Sequence, residues 1–208
     1  MAERKLTERE KARTAYVEDL SARLREEGWR SRDLTVSIEK ANRLGCLSML
    51  PVCAAFAAWF ILRNGFDMLR EISTVELILV VLLSVALIFV HEGLHGVTWA
   101  AFAPEHFRQI EFGFIKEQLT PYCWSGAPLT RGKYLAGSLM PMLVLGVIPC
   151  ALSCVLCWPA WLWLGEIMLL GACGDWLISL KLLGCRRGGR ELCCLDHPTE
   201  CGLIVFER

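Results

Sequence analysis

The residues best suited to chemistry in this 208-residue chain are His91-Glu92-Gly93-Leu94-His95, an HExxH motif. On a helix, residues four apart share a face, so His91 and His95 can bind one zinc ion. Glu92 then lies close enough to activate a zinc-bound water. The pattern arises by chance in roughly one chain in a few hundred, so the residues around it must decide its meaning.

The surroundings of the motif indicate a membrane. It follows the apolar run from Val75 to Val90, and the whole chain is 54% hydrophobic with a mean hydropathy of +0.41. Each ionisable side chain inside a bilayer costs about 2.5–3.5 kcal/mol on insertion scales, so three of them in one turn need a functional reason. The formal net charge is zero, which gives no indication of a nucleic-acid partner.

Four apolar stretches are close to the ~20 residues that a transmembrane helix needs. They cover about Cys46–Leu62, Val75–Phe102, Tyr134–Leu156 and Trp161–Leu183. We therefore expect an all-α integral membrane fold in which these spans carry the motif. A cytoplasmic helix from about Thr7 to Glu27, interfacial or self-packing, precedes them, and the sequence between residues 105 and 131 predicts a small interfacial hairpin.

We divide the chain into a cytoplasmic amphipathic helical segment, residues 1–43, and a four-span membrane zinc metallopeptidase domain, residues 44–208, with a tail at 185–208. Half of the 22 Lys and Arg residues lie in the first segment. Most of the others fall between the second and third spans or in and beside the tail, among them Arg108, Lys116, Arg131, Lys133, Lys181, Arg186, Arg187, Arg190 and Arg208. The positive-inside rule then predicts a multi-pass cell-membrane protein with both termini cytoplasmic.

A catalytic zinc site normally has three protein ligands and one open position. Counted from Val75, the first residue of the second span, His91 and His95 lie ~24–30 Å along the helix axis. Asp175 lies ~21 Å from Trp161, the first residue of the fourth span, which runs in the same direction, so the depths agree. Glu166, the other acid of the fourth span, is only about 7–8 Å from its outer end and on the opposite face. Asp175 is therefore the predicted third ligand; otherwise it bonds a helix neighbour or pairs with Lys181.

The tail contains a second set of potential ligands. Cys193, Cys194, His197 and Cys201 either form a small second zinc site or belong to a turn before a short strand at residues 203–206. The eleven cysteines lie mostly inside predicted spans or on the reducing side of the membrane, so we expect no disulfide framework.

The HExxH motif on one span and the aspartate on a later span resemble the site-2 protease family of intramembrane zinc metalloproteases. The four-span layout resembles more closely the "Putative zincin peptidase" family of small bacterial membrane proteins, over the chain from about Ala41 onward. The corresponding features are the motif at 91–95, Pro141 in the third span, Gly174-Asp175, and Asp196-His197-Pro198 with Gly202.

One departure limits what the resemblance transfers. Site-2 proteases typically carry Asn-Pro-Asp-Gly around their aspartate, whereas this chain has Cys173-Gly174-Asp175-Trp176. The zinc role of the aspartate transfers, but the substrate contacts of that asparagine do not.

The resemblance implies a zinc-dependent endopeptidase embedded in the lipid bilayer, which hydrolyses peptide bonds of membrane-associated proteins or peptides through a zinc-activated water. His91, His95 and Asp175 are the expected Zn²⁺ ligands and Glu92 is the expected general base; the residues that bind substrate are not predicted. The alternatives are a non-catalytic zinc-binding membrane scaffold or regulator and a metal transporter. Four spans without an evident internal repeat disfavour the transporter.

Overall fold

The structure, a computed structural model, describes residues 6–115, 120–185 and 191–208. Lys116, Arg186, Arg187 and Arg190, which contribute to the charge argument above, lie outside the described residues. The helices are α1 (Glu8–Glu26), α2 (Ile38–Asn64), α3 (Thr74–Phe102), α4 (Arg131–Pro141), α5 (Ile148–Leu156), α6 (Pro159–Gly171) and α7 (Cys173–Gly184). The strands are β1 (Arg30–Asp33), β2 (Ile110–Ile115), β3 (Thr120–Ser125), β4 (Leu129–Thr130), β5 (Leu192–Asp196) and β6 (Leu203–Glu207).

Helices form most of the molecule, and several are long and apolar enough to cross a membrane, as the sequence predicts. Among the described residues these are α2, α3 and the continuous helix of residues 131–156, in which a π-helical stretch, Met142–Val147, joins α4 to α5 directly after Pro141. A fourth span is obtained if α6 and α7, bent by 55° at their junction, are taken together.

Local sequence signals account for the bounds of α3, the helix that carries the HExxH motif. Ser73 and Glu76 form a capping box at its start, in which each side chain bonds to the backbone of the other residue. The helix ends before Pro104, because a proline disfavours helical backbone in the residue before it, and Ala103 is extended. Only 17% of its most apolar window is buried, as expected for a helix surrounded by lipid.

The fourth predicted span differs from expectation because it is not straight. The helix from Trp161 to Leu183 is broken at Ala172, which is fully buried between the end of α6 and the start of α7. Gly171 and Gly174 flank the break, and both lack the side chain that would favour a continuous helix. As a result, Asp175 lies in the first turn of a new helix, where the helix dipole favours a negative charge.

The molecule is mostly helical, as expected, but it is not purely all-α, because two small antiparallel sheets accompany the helices. One has the strand order β1-β6-β5-β4, and the other is the predicted hairpin β2–β3. Strand β1 pairs with β6, although the two strands are separated by most of the sequence. The sequence of β1, Arg-Ser-Arg-Asp, is exposed throughout and shows no apolar alternation. The strand predicted at 203–206 is present as β6.

The four-stranded sheet and α1 pack against one end of the membrane helices. Leu34, Leu203 and Val205 of the sheet region share a buried cluster with Trp99 of α3 and Leu182 of α7. The predicted N-terminal helix is α1. Its Val17 packs against Leu195 of β5 and Phe206 of β6, so the helix packs on the four-stranded sheet. Residues 43 and 44, where we divide the chain, both lie within α2.

Candidate metal centre

Three side chains from two helices bring potential metal ligands together. His91 Nε2 lies 3.0 Å from Asp175 Oδ2 and 3.1 Å from His95 Nε2, and His95 Nε2 lies 3.4 Å from the same carboxylate oxygen. Within the part of the chain that the structure describes, this is the one group of three or more His, Cys, Asp or Glu residues placed to hold a metal ion.

The size of this triangle fits zinc. Ligands at the usual 2.0–2.1 Å from a tetrahedral zinc ion are about 3.3 Å apart, close to the three observed distances. Two ring nitrogens and one carboxylate oxygen are also a donor set that zinc accepts in catalytic sites. Because these atoms are all electron-rich, their convergence is stable only with a proton or a cation between them, and a zinc ion meets this need for all three at once.

The backbone of α4 fixes the orientation of His95. Its Nδ1 lies 2.9 Å from the carbonyl oxygen of Gly137, which can only accept a hydrogen bond. The Nδ1–H therefore donates, and Nε2 of the neutral ring is left with a lone pair directed at His91 and Asp175. Hydrogen bonding of the second ring nitrogen in this way is typical of histidines that bind metals.

Trp99 supports His95 from the side. The two rings are stacked, with centroids 5.0 Å apart and planes 17° apart, and the indole Nε1–H donates to the backbone carbonyl of Tyr134 at 3.1 Å. A Cβ atom on Gly137 would overlap the indole ring, so only glycine fits there. Trp99 lies four residues after His95 and so on the same face of the helix, which is a local signal in the sequence; Gly137 carries no such local signal.

Asp175 is held in place by the neighbouring helices. The Ser138 hydroxyl donates to the Asp175 backbone carbonyl at 3.5 Å and lies 3.0 Å from the Ser179 hydroxyl, which joins α4 to α7. On the other side of α7, Gly45 of α2 contacts the backbone of Cys173 so closely that no Cβ would fit. Asp175 is thus fixed by contacts on both sides.

The alternative roles considered for Asp175 differ from its observed contacts. The Lys181 ammonium donates to the backbone carbonyls of Leu34 and Thr35, at 2.6 and 3.1 Å. The Asp175 side chain faces the two histidines instead. It is 32% exposed, against 9% for His91 and 4% for His95, so the three-ligand group is open on the Asp175 side.

Glu92 is half-buried beside the histidines and faces the hairpin. Its carboxylate interacts with the backbone amide of Cys123 in β3. The hairpin approaches α3 closely here, since Phe112 and Ile110 of β2 lie where a side chain at Gly96 would be. The interfacial hairpin is therefore packed directly against the turn of α3 that carries the motif.

The remaining candidate ligands lie elsewhere. Glu166, the rival acid, interacts with Cys53 of α2 and is not part of the three-ligand group. Cys193 and Cys194 are consecutive residues of β5. Among the described residues, the four candidate ligands of the tail form no group that could hold a metal: Cys193, Cys194, His197 and Cys201. His197 Nδ1 instead accepts backbone N–H groups of the turn at residues 199 and 200.

Comparison with known proteins adds one match. A family model described as "Putative zincin peptidase" matches residues 84–188, slightly more than half of the chain. The matched region contains α4, α7 and the part of α3 that carries His91 and His95, and it leaves out α1, β5 and β6. No curated protein and no solved structure matches the chain.

Proposed function

The chain belongs to the "Putative zincin peptidase" family, and from this premise we propose that it is a membrane-embedded zinc-dependent endopeptidase that cuts membrane-associated proteins or peptides. The observation that carries the proposal is the convergence of His91 Nε2, His95 Nε2 and Asp175 Oδ2 within 3.4 Å of one another, beside Glu92. In this proposal these three residues hold the zinc ion, two histidines from α3 and one aspartate from α7.

The chemistry divides between the metal and the chain. When bound, zinc supplies a Lewis acid that polarises the scissile carbonyl and lowers the pKa of the attacking water towards ~7. Glu92 accepts the proton that the water loses and passes it to the leaving amine nitrogen as the C–N bond breaks. The carbonyl of Gly137 keeps His95 in the tautomer that presents Nε2 to the site.

The position of the site favours access from one side of the membrane. His95 lies seven residues before the end of α3, or about 10 Å along the helix axis. That end packs against the hairpin and the four-stranded sheet, and the positive-inside rule assigns it to the cytoplasm. A short path for water and for an extended peptide to the exposed side of Asp175 is consistent with this arrangement.

Metal content and cleavage together test the proposal. The purified wild type is expected to contain one zinc ion per chain, and His95→Ala and Asp175→Ala are expected to lose it. Glu92→Gln is expected to retain zinc and to lose activity by about 100-fold or more, because it removes the general base. Glu166→Gln, which changes the other acid of the fourth span, is the matched control and retains both properties.

The substrate is found by comparing membrane proteomes of cells that carry the wild type or Glu92→Gln. A membrane protein that accumulates uncut only with Glu92→Gln supports the endopeptidase. If the wild type binds zinc but these proteomes do not differ, and the reconstituted wild type and Glu92→Gln show no difference in cleavage, the non-catalytic scaffold is favoured. Zinc lost in Glu92→Gln but retained in Asp175→Ala overturns the assignment of roles.

A further inference from the structure

Asp196 is a buried carboxylate, 7% exposed, at the end of β5 and outside the region matched by the family model. Its two oxygens accept hydrogen bonds from different elements: Tyr134 O–H of α4 donates to Oδ1 at 2.6 Å, and the Ser125 backbone N–H of β3 donates to Oδ2 at 2.8 Å. A carboxylate fits this pair of donors better than an amide, since an amide presents one donor group of its own.

The first hydrogen bond leads to the metal ligands. Tyr134 lies in the first turn of α4, and its backbone carbonyl accepts the indole N–H of Trp99, which stacks on His95. One turn further along α4, the carbonyl of Gly137 accepts the His95 Nδ1–H. The start of α4 therefore sets the position of both groups that orient the His95 ring.

The second hydrogen bond leads to Glu92. Ser125 and Cys123 are two residues apart in β3, so their backbone amides point to the same edge of the strand. Asp196 accepts the first of these amides and Glu92 interacts with the second. The edge of β3 that faces the site is thus hydrogen-bonded to a tail carboxylate at Ser125, and the proposed general base lies near the next amide along the same edge.

We propose that Asp196 is a positioning residue for the metal centre, which fixes α4 behind His95 and β3 beside Glu92 through its two hydrogen bonds. The inference rests on the proposed function only in assigning a metal to His91, His95 and Asp175. Asp196 touches no proposed ligand itself. Its effect passes through Tyr134 and Ser125 and ties the C-terminal sheet to the geometry of the site.

Cobalt substitution tests the inference, because the visible absorption of a Co²⁺ ion reports ligand geometry without any need for turnover. Asp196→Asn and Tyr134→Phe, which keeps the ring and removes only the hydroxyl, are expected to change this spectrum. They are also expected to weaken zinc binding by about tenfold, the lower end of the range for residues that orient metal ligands.

Two controls separate positioning from simple stability. Asp33→Asn changes an exposed aspartate of the same sheet that accepts a hydrogen bond from the Thr35 amide, and Phe206→Leu loosens the face of the sheet that packs on Val17 of α1. Both are expected to keep the wild-type spectrum and zinc affinity, with Phe206→Leu less stable. If Asp196→Asn does not fold, Tyr134→Phe decides.

The outcomes distinguish the two proposals. The positioning role is overturned if folded Tyr134→Phe and Asp196→Asn keep the wild-type cobalt spectrum and zinc affinity. It is also overturned if Phe206→Leu loses as much zinc affinity as these two variants. A wild type that binds no metal overturns the proposed function and the positioning role together. A wild type that binds zinc and cleaves nothing overturns only the endopeptidase, and the spectra then still test Asp196.

Discussion

Trp99 and His95 form a parallel stack one helical turn apart on α3, and the indole is anchored by its hydrogen bond to the Tyr134 carbonyl. An imidazole that must present Nε2 to a metal can still rotate about its own side-chain bonds. The stacked indole and the Gly137 carbonyl restrict this rotation from two directions. The candidate centre is thus oriented before any metal binds, which reduces the ordering that binding requires.

Trp99→Phe tests this orientation. Phenylalanine retains a ring against His95 but cannot donate to the Tyr134 carbonyl, so we expect zinc affinity to fall by about tenfold. Competition with a chromophoric chelator measures the affinity. Trp163→Phe, at a tryptophan 44% exposed on α6, is the matched control and is expected to bind zinc as the wild type does. Equal affinities in the two variants would mean that the stack plays no part in holding the ligand.

Gly137→Ala tests the close contact behind the same histidine. A methyl group there overlaps the Trp99 indole, so we expect a loss of about 1–3 kcal/mol in stability, as for overpacked cores, together with weaker zinc binding. Gly132→Ala, on the same helix with nothing within 4 Å of the new Cβ, is the control and is expected to be neutral or stabilising. Thermal unfolding in detergent compares the two. Similar behaviour of both variants would contradict the predicted overlap.

Much of the α-helical structure is encoded in local sequence. The capping box at Ser73 and Glu76 and the proline at 104 set the ends of α3 to within one residue of the predicted span, Val75–Phe102. The break at Ala172 was not predicted, because two flanking glycines permit a bend without requiring one. Asp175 was still identified as the partner of His91, since it lies only three residues beyond the break and the bend therefore changes its depth little.

The strand pairing in the four-stranded sheet depends on contacts that no local pattern reveals. Arg30 pairs with Glu207, and the intervening chain includes every membrane helix. The HExxH spacing predicted that His91 and His95 share a face, but Gly137, which orients His95, lies on a different helix and is recognisable only from the fold. The same holds for Asp196, whose sequence neighbours suggested a family resemblance and no role.

Asp196 also predicts a dependence of stability on pH. Burial raises the pKa of its carboxyl from the ordinary 3.8 to about 6, despite the hydrogen bonds from Tyr134 and Ser125. Between these two pKa values the folded protein therefore retains a proton that the unfolded chain has released. The contribution of this carboxyl to the free energy of unfolding is fully present below pH ~3.8 and decreases as the pH rises to about 6. The fall is at most about 3 kcal/mol.

The measurement is the free energy of unfolding in mixed micelles at several pH values between 4 and 7. The difference between the wild type and Asp196→Asn isolates this carboxyl, because the other titrating groups are common to both proteins. We expect the wild type to lose stability relative to Asp196→Asn as the pH rises through this range. A constant difference across the range would contradict a raised pKa.

Cys157 offers a test of the proposed orientation in the membrane. All eleven cysteines lie in the described residues, and Cys157, in the turn between α5 and α6, is the one that is exposed; its thiol donates to the Asn64 side chain at 2.9 Å. With both termini cytoplasmic, this turn faces the outside of the cell. A membrane-impermeant maleimide is therefore expected to label intact cells that carry the wild type but not Cys157→Ser. Labelling that requires permeabilised cells would place the turn on the inside and reverse the orientation, because the turn and the three-ligand group would then have exchanged sides.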